Sequence, residues 1–356
     1  MGMRVSGRAG RTAAAGIAVA GIVGLGLIAI PAGAGAAPAL PPVSAEDLVS
    51  SVLAAHPGPF GGTVTITNAL GLPALPNLPQ AANGSSTVRV WSDGDGRGRL
   101  QLPTASGEQS FVADGQTLWS WNSDGKKVTK APEGKDKIAP EAAAANPAEA
   151  AVTALGALQA TSQIRVDGTA EVAGHAAYEL VLAPAPSERT LLREVRIAVD
   201  AEKRTPLRLT VLANGSTTPA LQIGFTDLTF GAQDPALFTF TPPPGATVEE
   251  PKAPAGAPAG KPEKVGGAEP TAVGDGWDTV LVAKMPAQDA TKSPAPEGAR
   301  PGGAMPNLAA LGTPVSGTWG KGTLISTAVG SAIITDDGRI AVGAVPEQVL
   351  TEALAK

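Results

Sequence analysis

Between residues 108 and 130 the chain reads EQSFVADGQTLWSWNSDGKKVTK, three short apolar or aromatic runs separated by Asp114-Gly115 and Asp124-Gly125. Asp-Gly between alternating segments is a strong hairpin signal, so three consecutive antiparallel strands are predicted. In the middle strand the twofold alternation sets Trp119 and Trp121 on one face and Leu118 on the other. Earlier, Val64 and Ile66 alternate with threonines, which predicts a half-buried strand over 62–67, and two more strands are expected at 88–91 and 99–102. From 163 to 240 the pattern returns as QIRVDG, TAEVAG, HAAYELVLAP, LLREVRIAVD, PLRLTVLA, ALQIGF, DLTF and ALFTF, with turn residues between them. Val195, Ile197 and Val199 fall opposite Glu194 and Arg196, and Leu207, Leu209 and Val211 fall opposite Arg208. One face is therefore apolar and the other polar. The whole set makes about ten antiparallel strands, near the size at which an open sheet curls or splits.

The period changes to that of a helix in two places. Ser44 precedes AEDLVSSVLAAH, where Leu48, Val49, Val52 and Leu53 form one stripe. Asn146-Pro147-Ala148-Glu149 is a good helix start, and Val152, Leu155 and Leu158 carry that helix to about Ala160. Between 68 and 82, Leu70, Leu72, Leu75 and Leu78 are interleaved with prolines, which excludes both a helix and a central strand. That loop either folds back on its own core or forms an apolar lip against a groove or a membrane. After Phe240 the composition shifts to proline, glycine and alanine. Residues 249–275 read as an extended linker, 277–284 as strand-like, 286–306 as a second Pro/Gly gap, and TLISTAVGSAIITDDGRIAVGAV as strands around an Asp-Gly turn before a closing helix at 346–355. The expected organisation is a leader or anchor at 1–36, a main domain at 37–248, the linker, and a small β-rich domain at 276–356.

The first residues place the rest of the chain. Arg4, Arg8 and Arg11 precede an uncharged apolar run over 13–30, and Ala34-Gly35-Ala36 offers a small-residue cleavage site. The run is also long enough to span a bilayer, so it is either a cleaved secretory signal or a retained anchor in the cytoplasmic membrane. In both cases the remainder is expected outside the cytoplasm, in a secreted or periplasm-like location. The net charge of -5, with acidic and basic residues interspersed, argues against nucleic acid as a partner.

Composition also thins the chemistry. With no cysteine there is no disulfide, thiolate metal site, cysteine nucleophile or lipidated cysteine. The two histidines, His56 and His175, fall at a helix end and a strand start, with no spacing that would join them in a metal site or a Ser-His pair. Asp93-Gly94-Asp95 begins like a calcium loop, but the position that needs a bidentate glutamate is Thr104. Gly94-Asp95-Gly96-Arg97-Gly98 joins two strands and precedes no helix that would hold a phosphate, so it reads as a turn. No catalytic residue, metal site or cofactor is expected. Trp119 and Trp121 are either ordinary core or one wall of a cavity for an apolar ligand.

The segment FVADGQTLWSWNSDGKKVTK resembles the strand-turn-strand stretch of the LolA lipoprotein-carrier superfamily, where a phrase such as SDGKTLWFYNP...QVT recurs. The features that follow keep the family's order: a helix near Pro147, then VAGHAAYELVLAP, IAVDAEKRTPLRLTV, and FTDLTFGAQDPALFTFTPPPGATV with its F-x-F-x-P-P-x-G ending. The resemblance covers about 44–248. It implies an α+β fold, a curved antiparallel half-barrel wrapped around helices, with an apolar cavity that receives acyl chains. Cavity positions are expected among Val64, Ile66, Leu100, Leu102, Trp119, Trp121, Leu180, Leu182, Ile197, Leu209 and Phe225, with the choice of face left open because a one-residue bulge exchanges the two. By position, Arg99 matches the arginine with which family carriers hold a helical lid.

A linker and a second small domain look more like the RseB/MucB branch, regulators that bind an anti-sigma factor and sense lipid or mislocalised lipoprotein. The glycolipid-carrying lipoproteins of high-GC bacteria are a third branch, but they have an acylated cysteine that this chain lacks. The function implied is a lipid- or lipoprotein-binding carrier or sensor working near a membrane surface, without enzymatic activity. The alternative is a regulator that grips a membrane-bound anti-sigma factor or another membrane protein, with lipid as modulator.

Overall fold

The computed structural model describes residues 38–71, 84–104, 106–132, 146–250, 271–284 and 312–356. Ser44 caps the first helix, α1 (Ala45–Ala54), by accepting the Asp47 N–H at 3.0 Å. Six strands follow, β1 (Phe60–Asn68), β2 (Gly84–Ser92), β3 (Gly98–Pro103), β4 (Glu108–Ala113), β5 (Thr117–Asn122) and β6 (Lys127–Pro132). The last three are the expected Asp-Gly hairpins. Asn146 caps α2 (Pro147–Leu158), with proline at the first helical position where no N–H is needed. Five long strands complete the series, β7 (Ser162–Val172), β8 (His175–Pro184), β9 (Leu192–Asp200), β10 (Pro206–Ala213) and β11 (Pro219–Phe230), before a short β12 (Thr247–Glu249).

These strands form one 12-stranded sheet in the order β12-β6-β5-β4-β3-β2-β1-β11-β10-β9-β8-β7. The ends β12 and β7 do not pair, so the curved sheet stays unclosed. Neighbours run antiparallel except β12 and β6, which are parallel, because the chain crosses the sheet before it enters the edge. A register shift between Thr63 and Val64 in the β1–β11 pair bends the centre.

Several predicted boundaries are corrected. QIRVDG and TAEVAG are one strand, β7, with an irregularity between Val166 and Thr169, and ALQIGF with DLTF is one strand, β11. ALFTF is not a strand. Pro235 has no N–H to give a ladder, and Pro235–Phe238 forms a 3₁₀ turn whose Ala236 N–H is bound by Asp234. Leu53, expected in the buried stripe of α1, is exposed, so that stripe is narrower. The loop leucines Leu72, Leu75 and Leu78, the apolar run 13–30 and the gap 286–306 lie outside the described residues.

The last part is a second sheet. Its strands β13 (Thr271–Val273), β14 (Val280–Lys284), β15 (Thr313–Gly317), β16 (Gly320–Ser326), β17 (Ser331–Thr335) and β18 (Arg339–Gly343) stand in the order β13-β14-β18-β17-β16-β15. Helix α3 (Glu347–Leu354) covers one face, and Val280, Ile333, Ala341 and Leu350 meet there. Gly338, at φ 84°, makes the Asp-Gly turn read from the sequence. Neither β13 nor β15 was predicted, since a strand of three residues and a Pro-containing one of five carry little periodic signal.

Candidate functional site

Cross-strand register decides which side chains share a face. Leu180 lies opposite Ile197, Ile197 opposite Leu209, Leu209 opposite Ile223, and Ile223 opposite Ile66. Phe225 continues the ladder to Val64 and Val88, and Val90 to Leu100 and Phe111. The inner face is thus apolar from β8 to β4. Val64, Ile66, Leu100, Leu102, Leu180, Leu182, Ile197, Leu209 and Phe225 all stand in or against its core. The same core contains Leu48, Val49 and Val52 of α1 and Ala151 and Leu155 of α2, so the helices seal this face. Phe60 and Phe225 meet edge to face at 5.9 Å beneath them. Tyr178 and Thr169 donate hydroxyl hydrogen bonds to the carbonyls of Pro41 and Pro38, at 2.9 and 2.8 Å, which fasten the chain entering α1.

Trp119 and Trp121 are not part of this ladder. Trp119 pairs with Val112 and Trp121 with Ser110, while the inward Phe111 pairs with Ser120, so both indoles point to the outer face. There the segment after β11 packs on Trp119. Phe238 is buried under the Arg97 guanidinium, 5.5 Å from its ring centre, and Phe240 lies 5.5 Å from the Trp119 indole. The Trp119 Nε1–H donates to Asp114 Oδ2 at 2.9 Å. Arg99 is corrected in the same way. It lies between the inward Gly98 and Leu100 on β3, points outward, and donates from Nη1 to the Leu237 carbonyl at 3.5 Å. It holds the crossing segment and cannot reach the helices, because alternation puts it on the other side of the sheet.

Beyond β1 the outer face carries charge. Glu194, only 7% exposed, accepts hydrogen bonds from Arg196 at 2.8 Å and Arg165 at 3.2 Å, and Arg208 holds Glu179 at 2.5 Å. Burial pushes the Glu194 carboxyl up, but the bonds and charge of Arg196, with Arg165 and Arg193, outweigh it and hold the group below the usual carboxylate range. The predicted polar face is therefore a partly buried ion-pair cluster. Glu149, at the start of α2, is the opposite case, since burial raises its pKa more than the Asn146 bond lowers it.

The histidines have structural partners on separate elements. His56 Nδ1 lies 3.0 Å from the Ala54 carbonyl at the end of α1. His175 Nε2 lies 3.2 Å from the Leu228 carbonyl, with Nδ1 3.7 Å from Asp200. Asp93 accepts the N–H groups of Asp95 and Arg97 and closes the turn that began like a calcium loop. Among the described residues no group of three or more His, Asp or Glu side chains could hold a metal ion.

A curved, unclosed half-barrel around helices with a second small sheet is the architecture that the LolA and RseB/MucB resemblance implies. No protein-family model and no curated protein matches the chain. The structure is similar to that of MucB from Pseudomonas aeruginosa in its complex with MucA, at 17% identity and a TM-score of 0.47, over 87% of this chain and 96% of that one. It is also similar to an uncharacterized conserved protein from Thermus thermophilus (12% identity, TM-score 0.35, 58% of this chain and 98% of that one). A LolA superfamily protein of Nitrosomonas europaea is similar at 13% identity and a TM-score of 0.26, over 56% of this chain and 99% of that one.

One residue missed by sequence reasoning is Trp277. Expected in a strand, it occupies the 3₁₀ turn Gly276–Asp278 and is buried in the core of the large sheet rather than the small one. The flanking Gly274 and Gly276, both at positive φ, were the available signal that the strand starts later. No helix among the described residues is long and apolar enough to cross a membrane.

Proposed function

We propose that this chain is an extracytoplasmic lipid- or lipoprotein-binding protein that shelters acyl chains on the inner face of the half-barrel, with no chemistry of its own. The observation that carries this reading is the continuous apolar ladder of an unclosed sheet, covered by two short helices whose buried side chains are all apolar. Each methylene withdrawn from water contributes about 0.8 kcal/mol, so a long acyl chain gains on the order of 10 kcal/mol. Exposing Leu48, Val52 and Leu155 by lifting the helices costs about 1.5–3 kcal/mol per side chain. The two quantities are comparable. Acyl entry thus exchanges helix contacts for lipid contacts at small net free energy, which suits a carrier that loads and unloads or a sensor that responds to supply.

Native mass spectrometry of the protein purified from its own host tests this, with co-purifying lipid as the expected result. The apolar dye 8-anilinonaphthalene-1-sulfonate should bind, and Ala151→Trp, which puts a bulky ring at a fully buried position between α2 and the sheet, should abolish dye and lipid binding while Trp121→Ala on the outer face leaves both intact. Absence of lipid and dye from the folded wild-type chain would refute the reading. N-terminal sequencing of exported material would separate a cleaved signal from an anchor.

A second reading is favoured by Leu281 and Val342, paired across β14 and β18 and 46% and 44% exposed on the side of the small sheet away from its core. Such a strip suits a regulator whose small sheet grips a membrane protein such as an anti-sigma factor, with lipid as modulator. A stoichiometric membrane-protein partner on pull-down, lost in Leu281→Asp, would support it, and lipid without any partner would reject it.

A further inference from the structure

Trp277 belongs in sequence to the small sheet and in packing to the large one. It lies between β13 and β14, yet is 2% exposed within the core that contains Leu155 of α2. Its indole Nε1–H donates to Ser162 Oγ at 2.8 Å, and that hydroxyl donates in turn to the carbonyl of Leu158, the last residue of α2, at 2.6 Å. The backbone N–H groups of Trp277 and Asp278 both donate to Glu188 Oε2, at 2.9 and 3.2 Å. Gly276, at φ 63°, brings its backbone so close to the end of α2 that a Cβ there would collide with the Thr161 side chain. The loop that carries Glu188 also holds the small sheet. Arg189 makes a two-pronged bond to Glu352 at 2.9 and 2.7 Å, and the Thr190 hydroxyl and Leu191 N–H donate to the Ala344 carbonyl at 2.6 and 2.8 Å.

We infer that Trp277 is a latch between α2 and the small sheet, so that lifting α2 to admit an acyl chain withdraws the Leu158–Ser162–Trp277 chain of hydrogen bonds and loosens the small sheet. The inference rests on the reading that acyl chains enter beneath α2. Trp277 is a positioning residue and touches no ligand. Linkage makes the coupling reciprocal: whatever fixes the small sheet in place resists acyl entry by the same factor by which acyl entry releases the sheet. A loaded and an empty chain would then present different small-sheet surfaces to a partner, which gives a lipid sensor its output.

Hydrogen exchange on the full exported chain, without and with the fluorescent fatty acid cis-parinaric acid, tests this. Without ligand, Trp277→Ala should speed exchange about tenfold in both α2 and the small sheet while β3–β6 hold their protection. Trp277→Phe, which keeps the ring and removes the N–H donor, should shift both regions in the same direction by less. With the fatty acid bound, wild-type α2 and small sheet should lose protection together, and Trp277→Ala should bind it about tenfold more tightly because the latch no longer opposes entry. The inference is overturned if the two regions respond separately in both variants, or if both bind the fatty acid with wild-type affinity. Should no variant bind fatty acid, the acyl-binding reading fails, while the ligand-free exchange still decides whether the latch exists.

Discussion

The Trp119 indole lies 5.5 Å from the Phe240 ring, tilted by 39°, so the middle hairpin strand and the segment beyond the last long strand close on each other across the outer face. The parallel pairing of β12 with β6 and the ion pairs Lys127–Glu249 and Lys130–Glu250 finish that crossing.

Phe238, nearly inaccessible, and Phe240, half-buried, should therefore differ in cost. Phe238→Ala is expected to lower stability by about 3–5 kcal/mol, as for a filled core site, whereas Phe240→Ala should cost about 1 kcal/mol, the scale of one aromatic pair. Urea unfolding followed by tryptophan fluorescence measures both. Equal losses would mean that the crossing segment is not packed as described.

Arg99→Met keeps the aliphatic stem and removes the bond to the Leu237 carbonyl. Hydrogen exchange should then speed up at 235–249 and stay unchanged in α1 and α2. Loss of protection in the helices instead would return Arg99 to the role of holding a helical lid.

Asp114 ends one Asp-Gly turn with three bonds. Its Oδ1 accepts the N–H groups of Gln116 and Thr117 at 3.0 and 2.7 Å, and its Oδ2 accepts the Trp119 indole. Burial raises its pKa, but the Trp119 and backbone bonds prevail and hold the carboxyl below its ordinary value. Asp114→Ala should cost about 1–3 kcal/mol in urea unfolding at neutral pH, the range for bonds to a charged acceptor. A neutral result would show that the turn is held by backbone pairing alone.

Glu194 and Glu149 predict opposite pH dependence. The folded pKa of Glu194 is depressed, so its contribution is fully present above the unfolded glutamate value and is lost as pH falls through the folded one. Glu194→Gln should be destabilising by about 1–3 kcal/mol at pH 7 and lose that deficit toward pH 3. The folded pKa of Glu149 is raised, so its stabilising form is the protonated one, lost as pH rises through that value. Glu149→Gln should gain stability relative to wild type as pH goes from 4 to 7. Thermal melts across this range check both signs.

What was legible in the sequence follows the range of the forces involved. The Asp-Gly hairpins of β4–β6, the caps Ser44 and Asn146, and the alternation of β9 and β10 depend on residues within a few positions of one another, and they stand as read. Val64, Leu180 and Ile197 were legible as apolar strand positions but not as inner-face ones, because β8 is buried on both sides and only the cross-strand register shows which side they share. Nor was the face of Trp119 and Trp121 legible. Both faces of β5 are half-buried, and the crossing segment that covers the Trp119 indole comes from residues more than a hundred positions later. Pro235, which turns ALFTF out of the ladder, likewise acts only because the outer face of the sheet is there to receive Phe238.

By itself the sequence determined an extended set of alternating strands, two capped amphipathic helices, and a chain without cysteine or paired histidines. Tertiary structure alone decided that Arg99 grips the crossing segment, that Glu194 is buried among arginines, and that Trp277 leaves its own sheet to lock α2. The physical reason is register: side-chain direction along one strand is local, but what each face meets is set by pairing and packing between segments far apart in the chain.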